Sequence, residues 1–254
     1  MGGKPVSSLS LAAQALAEQM PHALWRANQT LSYQAATVSS GYLLMDEILP
    51  GQGWPGSVLI ELLLQQAGIG EMQLLRPALQ TIAAKRRIVL VQPPHLPQIA
   101  AWADWGLPAE RLLWIKAKST ADALWSAEQV LRNGGNGCCG ALLFWQTQVR
   151  PESLRRLHLA AQDTDMLFWM MRSLACAQDA SPSPLRLGLR PVTNGIRVDI
   201  LKQRGARRED PLFLSLQKQT SVPLDSSIPS SYHALLDRPA SSATRTRNLP
   251  ATLV

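Results

Sequence analysis

The chain has 254 residues, 46% of them hydrophobic, and carries a formal charge of +7. That length suits one domain of about 200 residues with tails. No apolar run approaches the ~20 residues of a membrane helix, so a cytoplasmic protein that keeps off membranes is expected. Three cysteines, two of them adjacent (Cys138, Cys139 and Cys176), fit neither a zinc spacing nor a disulfide framework. From Lys202 onward eight basic residues face four acidic ones. This excess suits an acidic partner such as DNA or an acidic protein.

In chain order, residues 8–20 read as an amphipathic helix stopped by Pro21, followed by a linker containing Trp25 and Arg26. Residues 1–38 are therefore expected to form an N-terminal arm. A large aromatic beside an arginine is a common interface anchor, and these two are the candidate partner-binding residues. Ser39 or Ser40 is expected to cap a short helix over GYLLMDEIL. The run SVLIELLL at 57–64 reads as a strand buried on both faces. Gly68-Ile69-Gly70 breaks it and opens a helix over about 70–86, with Pro77 expected to kink it. Strands are expected at 87–92, 112–115, 141–146 and 166–172, with helices at 95–105, 120–132 and 151–162 between them. Ser119 and Asp122 resemble a capping box, and Pro151 suits a first helical turn. Residues 173–184 read as a loop, and 185–191 with 195–201 as a hairpin turning at Thr193-Asn194. The alternation implies an α/β fold, a mostly parallel sheet ending in an antiparallel hairpin. Residues 39–218 would be the core. The Ser-, Pro- and Arg-rich stretch 219–254 is expected to be a disordered basic tail.

The succession SSGYLLMDEIL, GQGWPG, IELLL, a glycine-broken loop and a helix resembles the start of the RecA ATPase core. Residues 70–115 are similar to SulA cell-division inhibitors, and 185–216 resemble the closing hairpin of ImuA proteins. Together the chain most resembles the ImuA family over about residues 8–216. The resemblance implies a RecA-like core and a non-enzymatic adaptor in SOS-linked translesion synthesis. Its implied partners are ImuB, an error-prone replicative-type polymerase and RecA itself, with nucleoid association during DNA damage. The alternative it leaves is a SulA-like inhibitor that binds FtsZ.

The residues argue against ATP chemistry. A working phosphate loop needs G-x-x-x-x-G-K-[ST]. Here the loop reads Gln65-Gln66-Ala67-Gly68-Ile69-Gly70-Glu71, without lysine or hydroxyl. Glu71 would repel phosphate at a helix N-terminus and suits that end electrically. Lys85 stands at the far end of the helix, roughly 20 Å away. The strands that should end in a magnesium-binding Asp and a catalytic Glu end instead in Trp145-Gln146 and Val91-Gln92. No catalytic residue, metal or cofactor is therefore expected. His95 reads as loop polarity.

For nucleic acid, the expected contacts are the basic run Lys202, Arg204, Arg207 and Arg208, touching phosphate without sequence preference. Arg150, Arg155 and Arg156 read as a solvated helix face. The tryptophans, Trp125 and Trp169 among them, are assigned to packing.

Overall fold

The computed structural model describes residues 37–134, 137–204 and 210–216. The helix expected at 8–20, Trp25, Arg26, Arg207, Arg208 and the tail 219–254 lie outside them.

Chain order begins with β1 (Thr37–Val38), α1 (Leu43–Asp46), β2 (Trp54–Pro55), β3 (Leu59–Leu64), α2 (Glu71–Ala83), β4 (Arg87–Val91) and α3 (Ile99–Asp104). It continues with β5 (Leu112–Ile115), α4 (Thr120–Gly134), β6 (Cys139–Trp145), α5 (Pro151–Gln162), β7 (Leu167–Ser173), β8 (Leu185–Val192), β9 (Gly195–Lys202) and β10 (Leu212–Ser215). β1 and β2 pair as a small antiparallel ribbon. The other eight strands form one sheet in the order β10-β9-β8-β3-β7-β6-β4-β5. From β8 to β5 every neighbour is parallel, whereas β9 and β10 are antiparallel.

Two cores sandwich the sheet. On one face Leu74, Leu75, Leu79 and Ile82 of α2, with Trp102 of α3, pack on Ile60, Leu62, Leu143 and Trp169. On the other, Leu124 and Leu131 of α4 and Leu154 and Leu157 of α5 pack on Val89, Leu142, Phe144 and Phe168. A strand covered on both faces has no need of polar alternation, which is why β3, β6 and β7 are nearly continuous apolar runs. Trp54 meets Trp169 edge-to-face at 5.6 Å, both fully buried.

Local signals act as expected at several boundaries. The Asp122 N–H donates to Ser119 Oγ at 3.1 Å where α4 opens. Pro151 opens α5, where its missing N–H costs nothing. Asn194 takes φ 61° in the β8–β9 turn. Pro77 stands within α2, which continues through it to Ala83.

Five expectations need correction. The hairpin does not finish the sheet, because Leu212–Ser215 adds β10 along β9. The stretch 95–98 is not helical: Pro93, Pro94 and Pro97 disfavour a helix there, Gln98 is in the extended region and α3 begins at Ile99. The helix after Ser40 is only four residues and has no serine cap; instead Ser39 Oγ and the Ser40 N–H both donate to the Asp46 carboxylate. Trp125 is 62% exposed, since the inward face of α4 is defined by Ala123, Leu124, Ala127 and Leu131. Residues 173–184 also contain a 3-10 turn, Leu174–Gln178.

Candidate functional site

In an open parallel sheet, ligands bind beyond the carboxyl ends of the strands where adjacent crossovers leave in opposite directions. Here that point lies between β4, whose chain runs outward to edge strand β5, and β6, whose chain runs inward to β7. A crevice of about 340 Å³ sits there, lined by the ends of β3, β4, β6 and β7, including Gln65, Gln66, Ala67, Gln92, Gln146 and Arg172.

The loop between β3 and α2 reverses direction at Gly68 (φ 80°) and Gly70 (φ 110°). Its anion-receiving end is closed from inside. Glu71, the first residue of α2, is 3% exposed, and its Oε1 accepts the Gly68 N–H at 2.9 Å. A carboxylate at a helix N-terminus is electrostatically stabilising, and here it takes a backbone donor that a phosphate would use. Leu216 packs on the same loop: a Cβ on Gly70 would come to 2.4 Å of its Cδ1.

The strand ends that flank the loop present amides. Gln92 adopts φ 53°, and its Nε2 donates to the Ala117 carbonyl at 2.8 Å. Gln146 Nε2 donates to Thr120 Oγ1 at 3.2 Å. Gln92 ties the end of β4 to the connection between β5 and α4, and Gln146 ties the end of β6 to the first residue of α4. No carboxylate lines the crevice. Among the described residues no group of three His, Cys, Asp or Glu could hold a metal ion.

Arg172 is the one cationic side chain lining the crevice, and it is committed elsewhere. Its Nη1 lies 2.8 Å from Glu61 Oε1 and its Nη2 3.3 Å from Asp179 Oδ2. Arg186 Nε lies 2.7 Å from the other oxygen of Glu61. Arg186 Nη1 and Nη2 also donate to the carbonyls of Ala177, Asp179 and Cys176, fixing the 3-10 turn against the sheet. Glu61 is fully buried and both arginines nearly so. This network went unread in the sequence. Its one signal was a lone Glu inside SVLIELLL, which needs a buried counter-charge.

No protein-family model matches this chain, and no curated protein matches it.

Beside the crevice lies a groove of about 260 Å³ between the start of α2 and the proline-rich segment after β4. Trp102, Trp105 and Trp145 line it, and Arg76 stacks 5.8 Å over Trp105. His95 is exposed at its rim, as loop polarity would be. The Tyr42 hydroxyl donates to the Gln73 carbonyl, and burial pushes its pKa up, with Arg76 opposing.

The basic candidates lie at the other end of the sheet. Lys202 and Arg204 are exposed, and Lys202 Nζ donates to the Ser181 carbonyl at 2.8 Å. Ser183 Oγ donates to the Leu59 carbonyl, and the Leu59 N–H donates to His158 Nδ1 of α5 at 3.4 Å. Burial holds the His158 imidazole below its ordinary pKa, and the charges of Arg204 and Lys202 lower it further. The end of β9 thus lies beside α5. Of the α5 candidates, Arg155 is exposed, and Arg156 Nε pairs with Glu128 Oε2 of α4 at 2.8 Å. Arg150 is exposed just before the helix. No helix of the described residues is long and apolar enough to cross a membrane.

Proposed function

We propose that this protein is a nucleotide-independent, RecA-like scaffold of the ImuA kind, a non-enzymatic adaptor in SOS-linked translesion synthesis and damage-induced mutagenesis. One observation carries the reading. The loop after the central strand β3 accepts its own Glu71 carboxylate where a phosphate loop would accept nucleotide. Two further features support it. The positions expected to supply acidic catalytic groups are Gln92 and Gln146, and both amides hold neighbouring chain together. The elements also follow the order the resemblance implies: strand, glycine-broken loop, helix, further parallel strands and an antiparallel ending.

In this reading the ordered core is a rigid platform, and ImuB, an error-prone replicative-type polymerase and RecA are the partners. Residues Trp25 and Arg26 are the proposed protein-contact pair. The test is affinity capture of the tagged full chain from DNA-damaged cells, followed by binary binding to purified ImuB. ImuB recovered with the chain supports the adaptor. Recovery of FtsZ without ImuB, with inhibition of FtsZ assembly, replaces it with the SulA-like reading. Titration calorimetry with magnesium–ATP should be silent, and micromolar binding would refute nucleotide independence.

A further inference from the structure

The Glu71 carboxylate is buried but only half satisfied. The residue is 3% exposed, and its Oε1 accepts the Gly68 N–H. Its Oε2 is buried with no hydrogen-bond partner among the described residues, and no ion pair reaches it there. One N–H and the N-terminal end of α2 offset part of the cost of burying a carboxylate. The second oxygen still lacks a donor, and a charged donor answers it best.

Glu71 also lines the groove of about 260 Å³ beside the crevice, where the walls are aromatic. Trp102 and Trp105 stand 6.3 Å apart with their rings inclined at 43°, and Trp145 adds a third indole. The Trp145 Nε1 is buried without an acceptor. The groove thus carries one unused acceptor and one unused donor. Among its lining residues the only other titratable group is His95, exposed at the rim. Indole faces attract cations, and Trp105 already takes one: Arg76, which does not line the groove, lies 5.8 Å over its ring.

These features select the ligand. An anion is repelled by Glu71. A metal ion needs several donors, and no group of three His, Cys, Asp or Glu that could hold one occurs among the described residues. A guanidinium meets both demands, because its plane stacks on indoles while its N–H groups donate to a carboxylate. The rim indicates what carries it. Leu96, which lines the groove, is 69% exposed, and Ile99 at the start of α3 is 63% exposed. A free guanidinium compound would leave both in water. A polypeptide with apolar residues beside its arginine covers them, and its carbonyls offer the acceptor that Trp145 lacks.

We propose that this groove binds an arginine side chain of a partner polypeptide. The guanidinium lies against the tryptophans and donates to Glu71, and Leu96 and Ile99 receive the apolar residues beside it. The site rests on its own lining, so it stands whether or not the chain proves to be a translesion adaptor.

The test titrates the isotope-labelled full chain with a short peptide that holds one arginine between two leucines, read by the tryptophan indole N–H resonances in NMR. The signals of Trp105 and Trp145, assigned by substitution, should shift and saturate. A peptide with citrulline in place of arginine keeps the shape without the charge, and should bind at least about tenfold more weakly. Glu71→Gln keeps an acceptor for Gly68 and loses the charge, so it should bind both peptides alike. Trp105→Ala should weaken the arginine peptide about tenfold. Thermal midpoints serve as the folding control, and the citrulline comparison on wild type needs no variant. Several results overturn the proposal: no saturable shift by ~1 mM peptide, equal binding of the two peptides by wild type, or an arginine preference that persists in Glu71→Gln. Free arginine binding as tightly as the peptide would also overturn it, by making the groove a small-molecule site. None of these results bears on capture of ImuB by the full chain.

Discussion

Glu61→Gln tests the central electrostatic claim about the sheet. The substitution keeps the size of the side chain and removes the charge that Arg172 and Arg186 share. The contacts are 2.8 and 2.7 Å, and Glu61 is fully buried. At the effective dielectric constant of about 20 that suits protein pairs, each attraction is worth about 4–6 kcal/mol gross, most of it offset by desolvation. The net effect of the substitution is dominated by what remains. Two guanidinium groups would stay buried next to each other, with Asp179 at 56% exposure as their nearest carboxylate. Removing one partner of a buried pair costs about 3–5 kcal/mol, a large fraction of the ~5–15 kcal/mol total of a typical domain. Urea unfolding should show that loss. The thermal midpoint should fall by about 6–20 °C, at roughly 2–4 °C per kcal/mol for a domain of this size. The companion variant removes the three buried charges: Glu61→Leu, Arg172→Met and Arg186→Met. It should recover part of the loss, because an apolar set of similar volume has no charge to desolvate, while the Cys176, Ala177 and Asp179 carbonyls lose their Arg186 donors. A loss under about 1 kcal/mol for Glu61→Gln would refute the reasoning, as would a triple variant no better than the single one.

Other consequences are separable. Gly70→Ala forces a Cβ into Leu216 at φ 110° and should cost about 1–3 kcal/mol by chemical denaturation; adding Leu216→Ala should restore only the steric part. Glu71→Ala leaves the Gly68 N–H without its acceptor, and the expected loss is about 1–2 kcal/mol. The same variant should still give no heat with magnesium–ATP, because no lysine or hydroxyl is present to hold the phosphates. His158 has a folded pKa below its unfolded value. Its contribution to stability is therefore complete above the ordinary histidine pKa of about 6.5, is lost as pH falls through the folded value, and levels off below it. His158→Gln should flatten that segment of a stability–pH profile, and an unchanged profile would place the acid sensitivity elsewhere. Trp169→Ala empties the edge-to-face contact with Trp54 and should cost about 3–5 kcal/mol.

Much of this chain's local structure is decided by near-neighbour chemistry. The doubly buried strands β3, β4, β6 and β7 announce themselves as apolar runs, because a strand covered on both faces has no solvent side to mark. Ser119 and Pro151 open α4 and α5 through groups within one turn. The turn at Asn194 folds β8 onto β9. The absence of lysine and hydroxyl from the loop at 65–71 is likewise a matter of residue identity. Tertiary structure decided what depends on distant partners. Glu61 finds Arg172 111 residues away, and no periodicity within β3 foretells which strand will lie beside it. β10 is four residues long and is a strand only because β9 offers its edge. Trp125 and Trp169 both sit in apolar surroundings in the sequence, yet one faces out and the other is fully buried. That difference is set by which side of each element meets the sheet. Glu71 is a capping charge in sequence, but only the turn through Gly68 and Gly70 brings its carboxylate back into the loop and closes it. Local propensity is additive over a few residues. Pairing across the sheet is chosen by the burial of whole faces, and so it appears only when the chain is folded.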